Sequence, residues 1–400
     1  MNFFHYEVPP TAGLPLYLSD FFPSTHSLEE KLSRFIGTHQ VQIECSATSA
    51  LVVALNSLKN LSPKKKVIIS AYTCPWVPIA IIHCGLIPVV CDSNKEHFDF
   101  DLTKLKSTLN HEVLAIIPTH LAGKIADVKK ILPLAKKYGA FVIEDGAQAL
   151  GARTKKQSVG LLGDIGVFSL GVGKGLSIFA GGVIVAKNKS LFAHIQKTSA
   201  LIVPTNYFIE IKRLLELIFY YIFYRPSLLC FVFGIPLRHH LKKSDFIRAA
   251  GDNCSFKFPI HRVSRYRKSI GSNAFNRLSD FLNSNRKKAL IRLKKLETIK
   301  GLRVLTSKEP NETWPFIVLI LPNQKIRDQI ILALWSKSLG VGRLFIKEIS
   351  NYDYLKPYFK KTNVPAGKQF AENTMIISNS PWLTDKHFNE IYRVLNLHLK

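Results

Sequence analysis

Four hundred residues with 47% hydrophobic and 11% aromatic content exclude a disordered chain and allow one large core with a smaller second domain. Lysine and arginine number 55 against 28 acids, a formal charge of +27, which points to an anionic partner: nucleic acid, anionic lipid or a phosphorylated substrate. The basic residues fall in scattered pairs, such as Lys129-Lys130 and Lys294-Lys295, with no nucleic-acid module around them, so nucleic acid is not expected.

In chain order, Met1 to Pro10 has neither a basic leader nor a long apolar run, so a cytoplasmic protein is expected. The first two hundred residues then alternate short apolar strands with amphipathic helices. Strands are expected at Val41–Cys45, Val67–Ser70, Pro88–Cys91, Val113–Pro118, Phe141–Glu144, Gly166–Leu170 and Gly182–Ala186. Helices are expected at Ser49–Leu58, Pro75–Cys84, Ile125–Tyr138 and Ser190–Ser199, with Pro133 arguing against an unbroken third one. This alternation predicts an α/β fold with a mostly parallel seven-stranded sheet, whose ligand site lies outside the carboxyl ends of its strands. The expected division is a large domain over 1–200, a hydrophobic helical insertion over 201–259, and a small α+β domain over 260–400.

The insertion carries Leu214 to Tyr224, then Arg225-Pro226, then Leu228 to Leu237, flanked by Lys212, Arg213, Arg238, Lys242 and Lys243. Each apolar half is about ten residues, too short for a bilayer core that needs about twenty. A helical hairpin is expected, buried against the protein or in a subunit interface, or else lying at an anionic membrane surface. Beyond it, a long polar helix from Ile270 to about Leu296 leads to a strand at Trp314–Leu321 and a closing helix at Asp385–Leu397. The six cysteines show no C-x-x-C pair and no metal-ligand spacing, so reduced thiols and no metal are expected.

The chemistry concentrates between Glu144 and Leu176. Asp145 and Gln148 leave one strand end; Ser169 and the glycine-flanked Lys174 leave another. Such a set suits a pyridoxal ring. An acid at the pyridine nitrogen keeps the ring an electron sink, a lysine forms the Schiff base, and a serine beside glycines offers donors to the phosphate. His120 closes another strand and could face a substrate or serve as support.

Five patches in order resemble the sugar aminotransferase family of fold-type I pyridoxal-phosphate enzymes, the DegT/StrS type. They are Cys45 to Leu51 (the phosphate turn), Gly85 to Asp92, Ile143 to Ala152, Gly163 to Gly182 (the lysine loop), and Asn276 to Ala289. The resemblance implies that Lys174 carries the cofactor, Asp145 pairs with the ring nitrogen and Gln148 lies near the ring hydroxyl. Ser169, Thr48 and Ser49 would bind the phosphate. It further implies a homodimer with active sites at the two-fold interface. The expected reaction moves an amino group, from glutamate, onto a nucleotide-linked keto sugar for amino-sugar and surface-polysaccharide synthesis.

Three departures stand out. Ala47 replaces the usual glycine of the turn. Cys74 occupies the place of the ring-stacking aromatic, which leaves Tyr72 and Trp76 as candidates. Arg262 to Asn273 lacks a clean match to the loop that crosses to the partner. A sugar dehydratase of the same fold is one rival, although such enzymes have histidine where this chain has Lys174. A non-catalytic membrane-surface scaffold is the other.

Overall fold

The computed structural model describes residues 6–335, 337–360 and 362–399. Seven strands form the main sheet: β1 Val41–Glu44, β2 Lys66–Ser70, β3 Ile87–Cys91, β4 Val113–Ile117, β5 Phe141–Asp145, β6 Ile165–Ser169 and β7 Gly182–Ala186. Their spatial order is β1-β7-β6-β5-β4-β2-β3. The β3-β2-β4-β5-β6 run is parallel, while β7 lies antiparallel to both β6 and β1. Strands β4, β6 and β7 are buried along their whole length, as expected of a sheet covered on both faces. One apolar cluster gathers Leu28, Ile116, Phe168 and Ile270 on one side; another gathers Leu55, Ile69, Ile143 and Ile184 on the other.

The helix Val128–Tyr138 runs straight through Pro133. Burial of Val128, Ile131 and Ala135 against the sheet outweighs the backbone bond that proline removes. The expected long helix from Ile270 is instead two, Arg265–Phe275 and Leu278–Leu296. The break falls at Arg277, whose guanidinium is pulled aside to the Asp20 carboxylate and the Pro15 carbonyl.

A second sheet is antiparallel, in the order β10-β11-β9-β8, from β8 Arg303–Val304, β9 Phe316–Ile320, β10 Val341–Gly342 and β11 Thr374–Ser378. It shares a core with the helices Leu278–Leu296, Gln324–Trp335 and Asp385–His398.

The middle segment differs most from expectation. Tyr207–Phe223 and the helical run Pro226–Lys242 meet at a bend of 108°, an elbow rather than an antiparallel hairpin. Arg225 takes an extended conformation there and Pro226 opens the next helix, which suits a sharp turn. No single helix among the described residues is long and apolar enough to cross a membrane. Two of the expected flanking cations are also engaged elsewhere. Arg238 pairs with Glu7 at 2.9 Å, and Arg213 turns inward.

Candidate active site

Three strand ends meet at one cavity of about 340 Å3. β1 runs through Cys45 into Ser46, whose hydroxyl accepts the Ser49 amide at 3.0 Å and caps the helix Ala47–Lys59. The early amides of that helix have no intrahelical acceptor, and they carry the positive end of its dipole into the cavity wall. Gly182 permits the approach: a Cβ there would overlap the Ser46 carbonyl. β5 ends on Asp145, whose Oδ1 accepts the Ala147 amide at 3.0 Å. β6 ends on Ser169, whose hydroxyl accepts the Gly171 amide at 3.2 Å. The turn that follows holds Lys174. It is shaped by Gly173 at φ +70°, where a Cβ would overlap the Thr11 hydroxyl.

Of the expected site residues, Thr48, Trp76, Asp145, Ser169 and Lys174 line this cavity together. The Lys174 amine enters no hydrogen bond or salt bridge among the described residues. Burial pulls its pKa below the ordinary lysine range, opposed by Cys74 and Asp145. Burial also drives the Cys74 thiol up, so it stays protonated and Asp145 is the effective counter-charge. Asp145 is itself raised by burial, against the Ala147 amide, Lys174 and His120. An amine shifted down and a carboxyl shifted up in one cavity mark the place where chemistry is expected.

Three expected residues lie elsewhere. Ser49 is wholly buried, and its hydroxyl finds no hydrogen-bond partner. Gln148 turns its side-chain oxygen to the Ala122 amide at 2.7 Å, which leaves its NH2 as the remaining donor. Tyr72 packs among Phe98, Phe345 and Phe370, and its hydroxyl both accepts the Phe345 amide and donates to the Phe345 carbonyl. Of the two aromatic candidates, then, Trp76 is at the cavity and Tyr72 is not. His120 supports rather than faces the site. Its Nδ1 accepts the Ala126 amide at 3.0 Å, so Nε2 carries the hydrogen and donates to Glu144 at 2.9 Å. Glu144 also accepts the Gly160 and Gly163 amides, so this network braces the β5 end from behind.

Sequence reasoning missed Arg213 and Phe258, which also line the cavity. Arg213 comes from the Tyr207–Phe223 helix. Its Nη1 donates to Glu216 at 2.6 Å, its Nε is buried without a partner, and its guanidinium lies 6.0 Å from the Phe179 ring. The same helix brings Tyr224 to the lysine loop, where its hydroxyl would be 3.0 Å from a Cβ at Gly173. The signal was present in the spacing. Glu210, Arg213, Leu217, Tyr220 and Tyr224 recur every three or four residues and form one helix face.

Residues 18–211 match the model of the DegT/DnrJ/EryC1/StrS aminotransferase family. Among curated relatives, the spore coat polysaccharide biosynthesis protein SpsC of Bacillus subtilis is 31% identical over 169 residues, 42% of this chain and 43% of that protein. The UDP-N-acetyl-3-dehydro-alpha-D-glucosamine 3-aminotransferase of Acidithiobacillus ferrooxidans is 37% identical over 147 residues, 36% of this chain and 40% of that protein. The chain therefore matches under half the length of these relatives. Over nearly its whole length it shares the fold of the pyridoxal-phosphate form of Spr1654 from Streptococcus pneumoniae, with a TM-score of 0.74, 18% identity and 98% of each chain covered. The match to the DegT/DnrJ/EryC1/StrS aminotransferase family model thus spans the main sheet and just under half of the chain.

Proposed function

We propose that the protein is a pyridoxal-phosphate aminotransferase that moves an amino group from an amino acid, glutamate in our reading, onto a nucleotide-linked keto sugar. One observation carries this: an unpaired, partly buried lysine amine and a buried carboxylate share a cavity with a capped helix N-terminus. The residues fit the cofactor. Thr48, Ser169 and the first amides of the helix Ala47–Lys59 would hold its phosphate, Asp145 its ring nitrogen, Trp76 its face and Lys174 its aldehyde. When bound, the cofactor supplies an electron sink for a carbon that loses its proton. The chain's own work is then plain. Asp145 keeps a proton on the ring nitrogen. Burial holds the Lys174 amine nearer its neutral form, able to act as a nucleophile and, once released, to carry a proton between neighbouring carbons. Ser169 and Thr48 fix the orientation in which those transfers are short.

The name of the Acidithiobacillus relative, a UDP-sugar aminotransferase, supports a nucleotide-linked acceptor. A role in making amino sugars for surface polysaccharide fits the name of the Bacillus relative. We place the enzyme in the cytoplasm as a homodimer, since symmetric dimers are the commonest assemblies and the family resemblance puts the site at a two-fold interface. The division into a large domain, a 201–259 insertion and a small domain belongs to the same reading. The test is to incubate purified protein with keto sugars carried on UDP, GDP or dTDP, with glutamate as donor. Appearance of an amino sugar and of 2-oxoglutarate by mass spectrometry is expected. Loss of water from the sugar without nitrogen gain would establish the dehydratase instead, and no turnover across donors and acceptors would favour the scaffold.

A second feature concerns the outer face of the Tyr207–Phe223 helix. Phe208 is 86% exposed, and Ile211, Leu215, Phe219 and Ile222 follow it on the same side. Lys212 is exposed on the same helix, and Lys242 and Lys243 are exposed at the end of the next helical run. An exposed apolar ridge with a cation beside it fits peripheral contact with an anionic membrane.

A further inference from the structure

We propose that Arg213 receives the phosphate group of the ligand held in this cavity, as a cation supplied by the chain's own Tyr207–Phe223 helix. The assignment rests on the cofactor reading above and adds a residue from outside the stretch that matches the family model.

Position is the first argument. Phe179 links Arg213 to the phosphate end of the cavity. Its carbonyl lies 3.9 Å from where a Cβ at Gly171 would be, next to the Ser169 hydroxyl, and its ring lies 6.0 Å from the Arg213 guanidinium carbon. Arg213, Ser169, Gly171 and Thr48 all border the same space.

Hydrogen bonding is the second. Nη1 is held by Glu216, but Nε is buried with no acceptor. Nη2 enters no hydrogen bond among the described residues and the side chain keeps part of its surface, so Nη2 is the donor left for an anion in the cavity.

Charge is the third. The ionisable groups of ordinary charge along this wall are Asp145, Lys174 and Arg213. Asp145 and Lys174 offset each other, so Arg213, paired with Glu216 from outside the wall at 2.6 Å, is the remaining cation that borders the cavity.

Rigidity is the fourth. Three residues before Arg213, Glu210 accepts hydrogen bonds from Arg267, His261 and the Ser264 amide, which fixes the register of the helix. The guanidinium is thus presented from an anchored turn.

The test compares equilibrium binding of pyridoxine phosphate and of pyridoxine to full-length protein freed of cofactor. Neither probe carries an aldehyde, so Lys174 chemistry does not enter. Arg213→Gln should weaken pyridoxine phosphate roughly tenfold or more, the effect of losing a charge-assisted hydrogen bond, and leave pyridoxine unchanged. Arg213→Lys should fall between, because it keeps the charge and loses the planar donor pair. Lys212→Gln, next along the helix and exposed, should bind both probes as the wild type does. Equal affinity of wild type and Arg213→Gln for pyridoxine phosphate overturns the assignment. So does equal weakening of both probes. If Arg213→Gln does not fold, Arg213→Lys decides alone: undiminished phosphate selectivity relative to pyridoxine counts against a specific guanidinium contact. Wild-type protein that binds neither probe overturns the cofactor reading itself, a result distinct from failure of Arg213 alone.

Discussion

Glu210 and Arg267 form a buried ion pair in which Nε and Nη2 of the guanidinium reach the two carboxylate oxygens at 3.1 and 2.5 Å. Nη1 of the same arginine donates to the carbonyls of Ile178 and Ala180, just beyond the lysine loop. One side chain therefore ties the middle segment to the wall of the active site. Burial alone would raise the Glu210 carboxyl, but the bonds from His261 and Arg267 outweigh it and hold the group far below the usual carboxylate range. The pair and its hydrogen bonds form a single clamp.

Breaking that clamp should be expensive. Arg267 is wholly buried, so Glu210→Gln strands a full positive charge away from water. We expect a loss of about 3–5 kcal/mol in unfolding free energy, read by denaturant titration. The double variant Glu210→Gln/Arg267→Met should recover a large part of it, since the guanidinium is gone and His261, no longer held charged by Glu210, can release its proton. If the single and double variants are equally unstable, the damage comes from packing rather than from charge.

Much of this was legible in the sequence, and the rest was hidden for a physical reason. Strands β2 to β7 show as short, largely apolar runs, as strands covered on both faces require, whereas the edge strand β1, Val41-Gln42-Ile43-Glu44, alternates apolar and polar residues. Asp145, Ser169 and Lys174 were legible because each sits at a strand end, where the fold itself places ligands. Arg213 was not. It stood among apolar residues with lysine beside it, and it read as a surface cation until the helix's inward face was known to be polar. Tyr72 and Trp76 were equal candidates for the same reason in reverse. Two positions either side of Cys74 cannot be told apart until the chain turns after β2.

Lys174 should be the point of cofactor attachment. Borohydride reduction of protein loaded with pyridoxal phosphate should fix the label to the peptide that contains Lys174, with no label in Lys174→Ala. The same substitution should stabilise the cofactor-free protein. Burial lowers the lysine's pKa in the fold, so the folded state holds its proton less tightly than the unfolded one. Stability therefore rises with pH from the folded pKa up to the ordinary lysine value, and at neutral pH the charged form opposes folding. A higher melting temperature for Lys174→Ala than for wild type at neutral pH, both free of cofactor, is the expected reading. Labelling of another lysine would sink the attachment.

Asp145→Asn should separate stability from activity. In the fold the carboxyl is raised by burial, so the folded state binds its proton more tightly than the unfolded one. Its contribution is fully present below the ordinary aspartate value and is lost as pH rises through the folded pKa. Above that, the buried charge opposes folding. Asparagine has no such charge, so the cofactor-free variant should melt higher than wild type near pH 7, and the gap should close in acid. Turnover should nevertheless fall by several orders of magnitude, because the amide cannot keep a proton on the ring nitrogen. Near-normal turnover would mean that another group holds the ring.

The exposed apolar ridge of the Tyr207–Phe223 helix should hold the protein to anionic membrane. Deleting the segment is a poor test, because its inner face carries Glu210, Arg213 and the tyrosines that pack on the lysine loop. Replacing only the outer residues, Phe208, Ile211, Leu215 and Phe219, by serine leaves that inner face intact. The wild type should float with phosphatidylglycerol vesicles and less with phosphatidylcholine vesicles, since the exposed Lys212 beside the ridge adds roughly 1 kcal/mol near an anionic leaflet. The serine variant should stay in the soluble fraction and sediment with the same mass as wild type. If it instead sediments as a smaller species while flotation does not differ, the ridge is the contact between two copies of this chain. Retained flotation without a change in mass would remove both roles from this face of the helix.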